Sequence, residues 1–384
     1  MLAFLSCTEE DNPSDSDDDE IITWAKTFGG ETADMARGLC ITADGGYAII
    51  GGTASVGGGD INLLKLNSRG ALVWSETYGG SSNDEGFAVI EADEGGFYVG
   101  GNYNVSTTSQ YIYFLKVDGR GEILLDENIG EDTLVQLGNS MMADPNGGFV
   151  IAGAVSSGLP GSYGDIYLAK IDNIGNLIWH KEFGDFGFDR GSAIIPAANN
   201  EYIAVGEFEY TFLHPGTFVA KLDDTGKVMW DDIWQGERTN GADWITATGG
   251  GYFVICGDEY FSTGNSDILL TMIDGDGVIW WQRTIGGLAR DWSECVITTS
   301  DGGFAVAGST ESFGSGGWDV YLVKTDSYGN VEWQRTFGGS GNDFGYALAQ
   351  TADGGFVICG STESYGSGAT DMYVIKTDSD GRIR

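Results

Sequence analysis

"DGGFAVAGSTESFGSGGWDVYLVKTDSYGNVEWQRTFGG", residues 301–339, has a near copy in "DGGFVICGSTESYGSGATDMYVIKTDSDGRIR", residues 353–384. The copy stops before the tryptophan and "TFGG" that its pattern calls for. The segment "IITWAKTFGG", residues 21–30, carries those residues at the other end of the chain. The same unit recurs between these ends. An aromatic after a polar turn stands at Tyr47, Phe97, Phe149, Tyr202, Tyr252, Phe304 and Phe356, in steps of 50 to 53 residues. A second mark falls at Trp24, Trp74, Leu125, Trp179, Trp230, Trp281 and Trp333, with Leu125 the departure. A period near 50 points to a propeller or a repeat array.

Within one period, alternation gives four strands, as in "FGYALAQT", "GFVICGS", "DMYVIKTD" and a "GNVEWQRTF"-type segment. Turn residues separate them: "ADGG", a Gly/Ser-rich loop, then D-x-x-G. Four antiparallel strands per unit make a propeller blade. A sheet protein avoids open edges, and pairing the orphan strand of residues 21–30 with the last unit removes one. The sequence therefore predicts an all-β, seven-bladed β-propeller over residues 21–384, built of four-stranded antiparallel blades, with the ring closed by the N-terminal strand. A solenoid would need capping units, and none is visible.

Composition narrows the function. The 384 residues include 63 glycines, and 57 acids stand against 19 bases for a net charge of -38. Such a field repels nucleic acid, which is excluded as a partner. No run of 18 apolar residues suggests a spanning helix. With two histidines, His180 and His214, and no GxSxG, HExxH or P-loop, enzyme signatures are nearly absent. No cofactor is expected. Calcium is the one ion the acidic loops could take, although "DSDDDE" lacks the glycine and spaced glutamate of an EF-hand loop. The cysteines form no CxxC, and those in the repeats read as small buried hydrophobes. A monomer is expected.

Cys7 differs from the others. "MLAFLSC" followed by "TEEDNPSDSDDDE" resembles the end of a bacterial lipoprotein signal. That resemblance implies a truncated signal over residues 1–7 ending at a lipidated Cys7, and a disordered acidic tether over 8–20. It implies anchoring at an outer membrane or cell surface, with membrane contact through the lipid alone. The segments Asp172 to Trp179 and Asp326 to Trp333, both D-x-x-G-x-x-x-W, resemble the tryptophan-docking repeat of quinoprotein-like propellers. "IIGG" at 49–52 and "YVGG" at 98–101 are similar to kelch repeats. From Ile21 onward the chain resembles the propeller lipoproteins of Bacteroidota, which implies a fold and says little about chemistry.

Repeat positions are structural by default. The series Asp34, Asp84, Asp189, Asp291 and Asp343, with Asn240 in the same place, should cap the turn after "GG". Lys65, Lys116, Lys170, Lys221, Lys324 and Lys376 should form cross-strand ion pairs. Function is then expected where units depart from consensus, in the loops of blades 4 and 5. Phe186, Arg190, Phe208, Tyr210, His214, Trp234, Arg238, Trp244 and Tyr260 gather there, and binding surfaces enrich aromatics and arginine. The alternative is a decayed blade whose aromatics fill irregular packing. Two functions remain open. One is a non-catalytic binding scaffold on the cell surface or outer membrane, engaging a protein or glycan through one propeller face. The other is a polysaccharide lyase or hydrolase with its site at the central channel mouth.

Overall fold

A computed structural model describes residues 22–54, 59–106, 109–130, 134–157, 164–184, 187–209, 215–235, 239–261 and 264–384. Each repeat folds into four antiparallel strands in chain order. In the first complete sheet these are Asp34–Ile41, Tyr47–Thr53, Asp60–Leu66 and Leu72–Tyr78. The second and third strands are almost wholly buried, and the fourth is mostly exposed. That gradient explains why "YAIIGGT" and "DINLLKL" read as near-continuous apolar runs. The turn into the fourth strand is built by its aspartate. Asp172 Oδ1 accepts the N–H groups of Ile174 and Asn176, at 3.0 and 2.9 Å, while Gly175 takes φ 83°.

The same order recurs in the sheets at 190–234, 239–285 and 291–337. The sheets at 85–129 and 135–183 are joined by a parallel bridge between Val135 and Gln110. In the last sheet, Asp343–Gln350, Phe356–Thr362 and Asp371–Lys376 take the N-terminal strand Trp24–Phe28 as their fourth member. Trp24 lies opposite Lys376, Thr27 opposite Tyr373 and Phe28 opposite Met372. The Arg384 N–H donates to Thr23 Oγ1 at 2.7 Å, tying the two ends further. The chain is all-β, made of four-stranded antiparallel sheets in a propeller arrangement.

Neighbouring sheets are held by the tryptophans of the fourth strands. Trp24 meets Tyr47 edge-on at 5.6 Å, Trp74 meets Phe97 at 6.0 Å, and Trp333 meets Phe356 at 5.7 Å. Each ring also lies against a turn glycine of the next sheet. Gly226, at φ 76°, is one: a Cβ there would sit 2.6 Å from the Trp179 ring. Leu125 has no ring to offer, and there Tyr98 and Phe114 cover Phe149 instead, at 4.7 and 5.3 Å. Apolar clusters fill each gap, as where Trp24, Met372 and Val374 pack on Ala36, Tyr47 and Ile49.

The capping aspartates act as expected. Asp34 Oδ2 accepts the Gly30 N–H at 2.8 Å, and Asp84 and Asp291 do the same for Gly80 and Gly287, both at 2.7 Å. The third-strand lysines reach acids on the turn between the first and second strands. Lys65 pairs with Asp44 at 2.9 Å, Lys376 with Asp353 at 2.8 Å, and Lys116 with Glu94. One repeat mark slips by a residue. The buried aromatic slot of the 239–285 sheet holds Phe253, whereas Tyr252 packs on Trp280 at 4.8 Å. The turn keeps its length, with the Thr248 N–H bonded to the Tyr252 carbonyl as Thr299 is to Gly303, so Tyr252 stands where other sheets carry the second turn glycine and Phe253 fills the slot.

Candidate functional site

The first strands carry a feature that strict alternation hides. Register shifts leave Arg37, Phe87, Asn139, Ser192, Glu294 and Tyr346 each unpaired as a one-residue bulge. Asp243 occupies the matching place between the short strands Thr239–Asn240 and Trp244–Ala247, its N–H bonded to the Cys256 carbonyl at 2.9 Å. Every one of these residues stands three places after the capping position of its strand. A bulge re-aims the extra side chain. Here all of them line one cavity of about 370 Å³, walled by the first strand of every sheet, which is the central channel of the propeller.

The flanking cap and glycine positions repeat, but the bulge position holds a different residue on each strand. The channel is therefore asymmetric, with charge concentrated on part of its wall. Arg37 Nε donates to Glu85 Oε1 at 2.7 Å, and its guanidinium lies 4.4 Å over the Tyr346 ring. Arg190 lies 3.3 Å from Glu207 and 3.9 Å from Asp243. Ser293 bridges two further acids: its hydroxyl donates to Asp243 Oδ2 at 3.1 Å and its N–H to Asp258 Oδ1 at 2.9 Å.

Burial raises several of these acids. Loss of water pushes the Glu294 carboxyl up to about 7, opposed by the positive charges of Arg37 and Arg190 and reinforced by Glu207. Desolvation and the neighbouring carboxylates hold Asp243 and Asp258 well above the usual range. The Tyr346 hydroxyl is raised as well, by burial first. Perturbed acids in a cleft are what functional sites share. The Ser192 hydroxyl, on a residue 6% exposed, lines the same cavity with no hydrogen-bond partner among the described residues. Below this polar tier the wall turns apolar at Leu39, Val89, Met141, Met142 and Leu348. Among the described residues, no group of three or more His, Cys, Asp or Glu is placed to hold a metal ion.

The residues singled out in the sequence are distributed unevenly. Arg190 and Trp244 both line the channel. Phe208 is 7% exposed in the core between the 135–183 and 190–234 sheets, and packing explains it fully. Trp234 ends the outermost strand Val228–Trp234, half-buried, its Nε1 donating to Asp232 at 3.2 Å. Tyr260 is exposed at the end of Tyr252–Tyr260. Cys7, Phe186, Tyr210, His214 and Arg238 lie outside the described residues. Arg37, Glu85, Ser192, Asp243, Glu294 and Tyr346 were missed. The signal that finds most of them is the variable third residue after each capping position.

No family model matches the sequence, and no curated protein matches it. Solved structures do. A mutant puromycin hydrolase in complex with PGG is 12% identical with a TM-score of 0.59, covering 93% of this chain and 53% of that one. The WD40 domain of Pan2 from Neurospora crassa is 12% identical with a TM-score of 0.54, covering 91% and 90%. Sqt1 from Chaetomium thermophilum is 12% identical with a TM-score of 0.50, covering 87% and 83%. This chain spans about half the length of the hydrolase. At such identities the likeness shows the propeller fold alone.

Proposed function

We propose that the chain is a seven-bladed propeller, its ring closed by the strand Trp24–Phe28, and that it is a non-catalytic binding scaffold taking a small polar ligand in the central channel. The observation that carries this reading is the ring of bulges. A fold that needs no side chain at these positions aims a different one from every first strand into one cavity. Such a cavity, mostly apolar with a few convergent polar groups, is what small-molecule sites have in common. Blade count and closure rest on the sheet order and on Trp24 packing against Tyr47 as Trp333 packs against Phe356. Lipid anchoring through Cys7 and an acidic tether, at an outer membrane or cell surface, completes the reading and is carried by the sequence alone.

The second reading is a hydrolase or lyase acting at the channel mouth. One observation favours it: Glu294, pushed up to about 7, is suited to give and take a proton. A thermal-shift screen of small polar compounds and oligosaccharides tests the first reading. Ligands of the channel should stabilise the parent and leave Ser192→Trp, which fills the cavity, unshifted. Stabilisation of both alike, or of neither, overturns a channel site. Turnover of an oligosaccharide that fails in Glu294→Gln would favour the enzyme.

A further inference from the structure

We propose that the channel ligand is a small organic cation, an ammonium group on an apolar body, held by Glu294 with Ser192. The proposal rests on the channel being the binding site, and its argument is a charge count along the wall. Arg37 is engaged by Glu85, and Arg190 is shared between Glu207 and Asp243. Among the described residues, Asp258 accepts one backbone N–H and has no cationic partner. Glu294 takes part in no hydrogen bond or ion pair among the described residues, and its carboxyl lines the cavity. Two arginines thus stand among five acids, three of them on the wall, and the ionised Glu85 and Glu207 already match the two arginines, so ionised Glu294 adds a negative charge that no arginine is left to balance.

Four further observations point the same way. The Ser192 hydroxyl is buried, lines the cavity and lacks a partner among the described residues, so it offers an acceptor that an N–H could fill. Phe87 and Trp244 bring aromatic rings to the wall, and ring faces attract cations. The net charge of -38 draws cations toward the molecule and repels anions, an effect that a cleft focuses. The apolar tier at Leu39, Met141, Met142 and Leu348 suits a hydrocarbon body. A divalent metal ion is the poorer fit, because no cluster of three donors is assembled among the described residues.

The proton balance follows. The groups around Glu294 are Arg37, Glu85, Arg190, Glu207, Asp243, Asp258 and Tyr346, and burial, opposed by Arg37 and Arg190 and reinforced by Glu207, pushes its carboxyl up to about 7. A bound ammonium group replaces the carboxyl proton, which leaves to solvent. Affinity should therefore rise as pH rises through 7.

The test is calorimetric titration of the full chain with hexylamine, phenethylamine and choline, beside hexanol, hexanoate and calcium. At pH 8 at least one amine should bind while hexanol and hexanoate do not. Its Kd should weaken at least tenfold at pH 6, and proton release should appear as a difference between phosphate and Tris buffers. Glu294→Gln should weaken it at least tenfold, with Glu294→Asp restoring part. If hexanol or hexanoate binds in place of the amines, the cation proposal falls and the channel reading stands. If none of these and no screened compound binds, both fall. Amine binding that is indifferent to pH and to Glu294→Gln, or that calcium displaces, also overturns the proposal.

Discussion

Replacing Trp24 by alanine should cost as much stability as replacing Trp179, although Trp24 belongs to the first strand of the chain. The two tryptophans are matched. Each is 8% exposed, and each ring meets the tyrosine of the next sheet, Tyr47 at 5.6 Å and Tyr202 at 5.8 Å. Truncating a well-buried tryptophan costs about 3–5 kcal/mol in lost contacts and residual cavity. Trp179 also donates Nε1 to the Asp224 carbonyl at 3.2 Å, whereas Trp24 Nε1 has no partner among the described residues. That bond adds about 1 kcal/mol to the loss at Trp179. Equilibrium urea unfolding followed by circular dichroism at 218 nm, roughly the strand signal, avoids reading the fluorophore that was removed. In a closed ring the two losses agree within about 1 kcal/mol once that bond is allowed for. A loss of about 0.5 kcal/mol for Trp24→Ala beside 4 or more for Trp179→Ala would mean that the N-terminal strand frays from its sheet, and the closure argument would be wrong.

Glycine tests the docking geometry. Gly226 and Gly45 both hold φ 76°, but a Cβ on Gly226 would strike the Trp179 ring at 2.6 Å while one on Gly45 meets nothing within 4 Å. Gly45→Ala should cost about 1–2 kcal/mol of backbone strain, and Gly226→Ala about 1–3 kcal/mol more from displacing the ring. Thermal melts decide this, and equal costs would mean that the ring is not held there. Glu294 predicts a pH dependence. Its folded value, raised from 4.5 to about 7, means that its stabilising contribution is present below pH 4.5 and lost as pH rises to 7. The parent should lose stability relative to Glu294→Gln across that window, and a parallel course for the two proteins would refute the burial argument. Metabolic labelling of a full precursor with a fatty-acid analogue should mark the parent and spare Cys7→Ser, and equal labelling of both would remove the anchor.

The sequence makes the framework legible because the framework repeats. A strand buried on both faces must be apolar throughout, a turn at φ near 80° demands glycine, and an inter-sheet tryptophan needs a glycine beneath it. Each constraint writes the same letter every 50 to 53 residues. Phe253 shows the limit: the turn keeps its length, but Tyr252 takes the place of the second turn glycine, so the first aromatic after the glycines is not the buried one. The channel was harder to see. The loops depart most visibly from the repeat, yet Phe208 among those candidates is a core residue. The variation that matters lies inside the first strands. A one-residue bulge interrupts alternation there, so Arg37, Asp243 and Glu294 look like misplaced polar residues on a packed strand. Their convergence depends on which strands line the axis, and no local pattern carries that.

The location of the ligand is the most direct test of the account, and methionine methyl groups read it without altering the channel. Met141 and Met142 line the cavity, whereas Met229 is exposed on an outer strand and Met272 lies on a third strand. In a spectrum of the full chain labelled at its methionine methyls, titration with a bound ligand should shift Met141 and Met142 and leave Met229 and Met272 in place. Shifts at Met229 or Met272, with Met141 and Met142 unmoved at saturation, would put the site elsewhere and contradict the account.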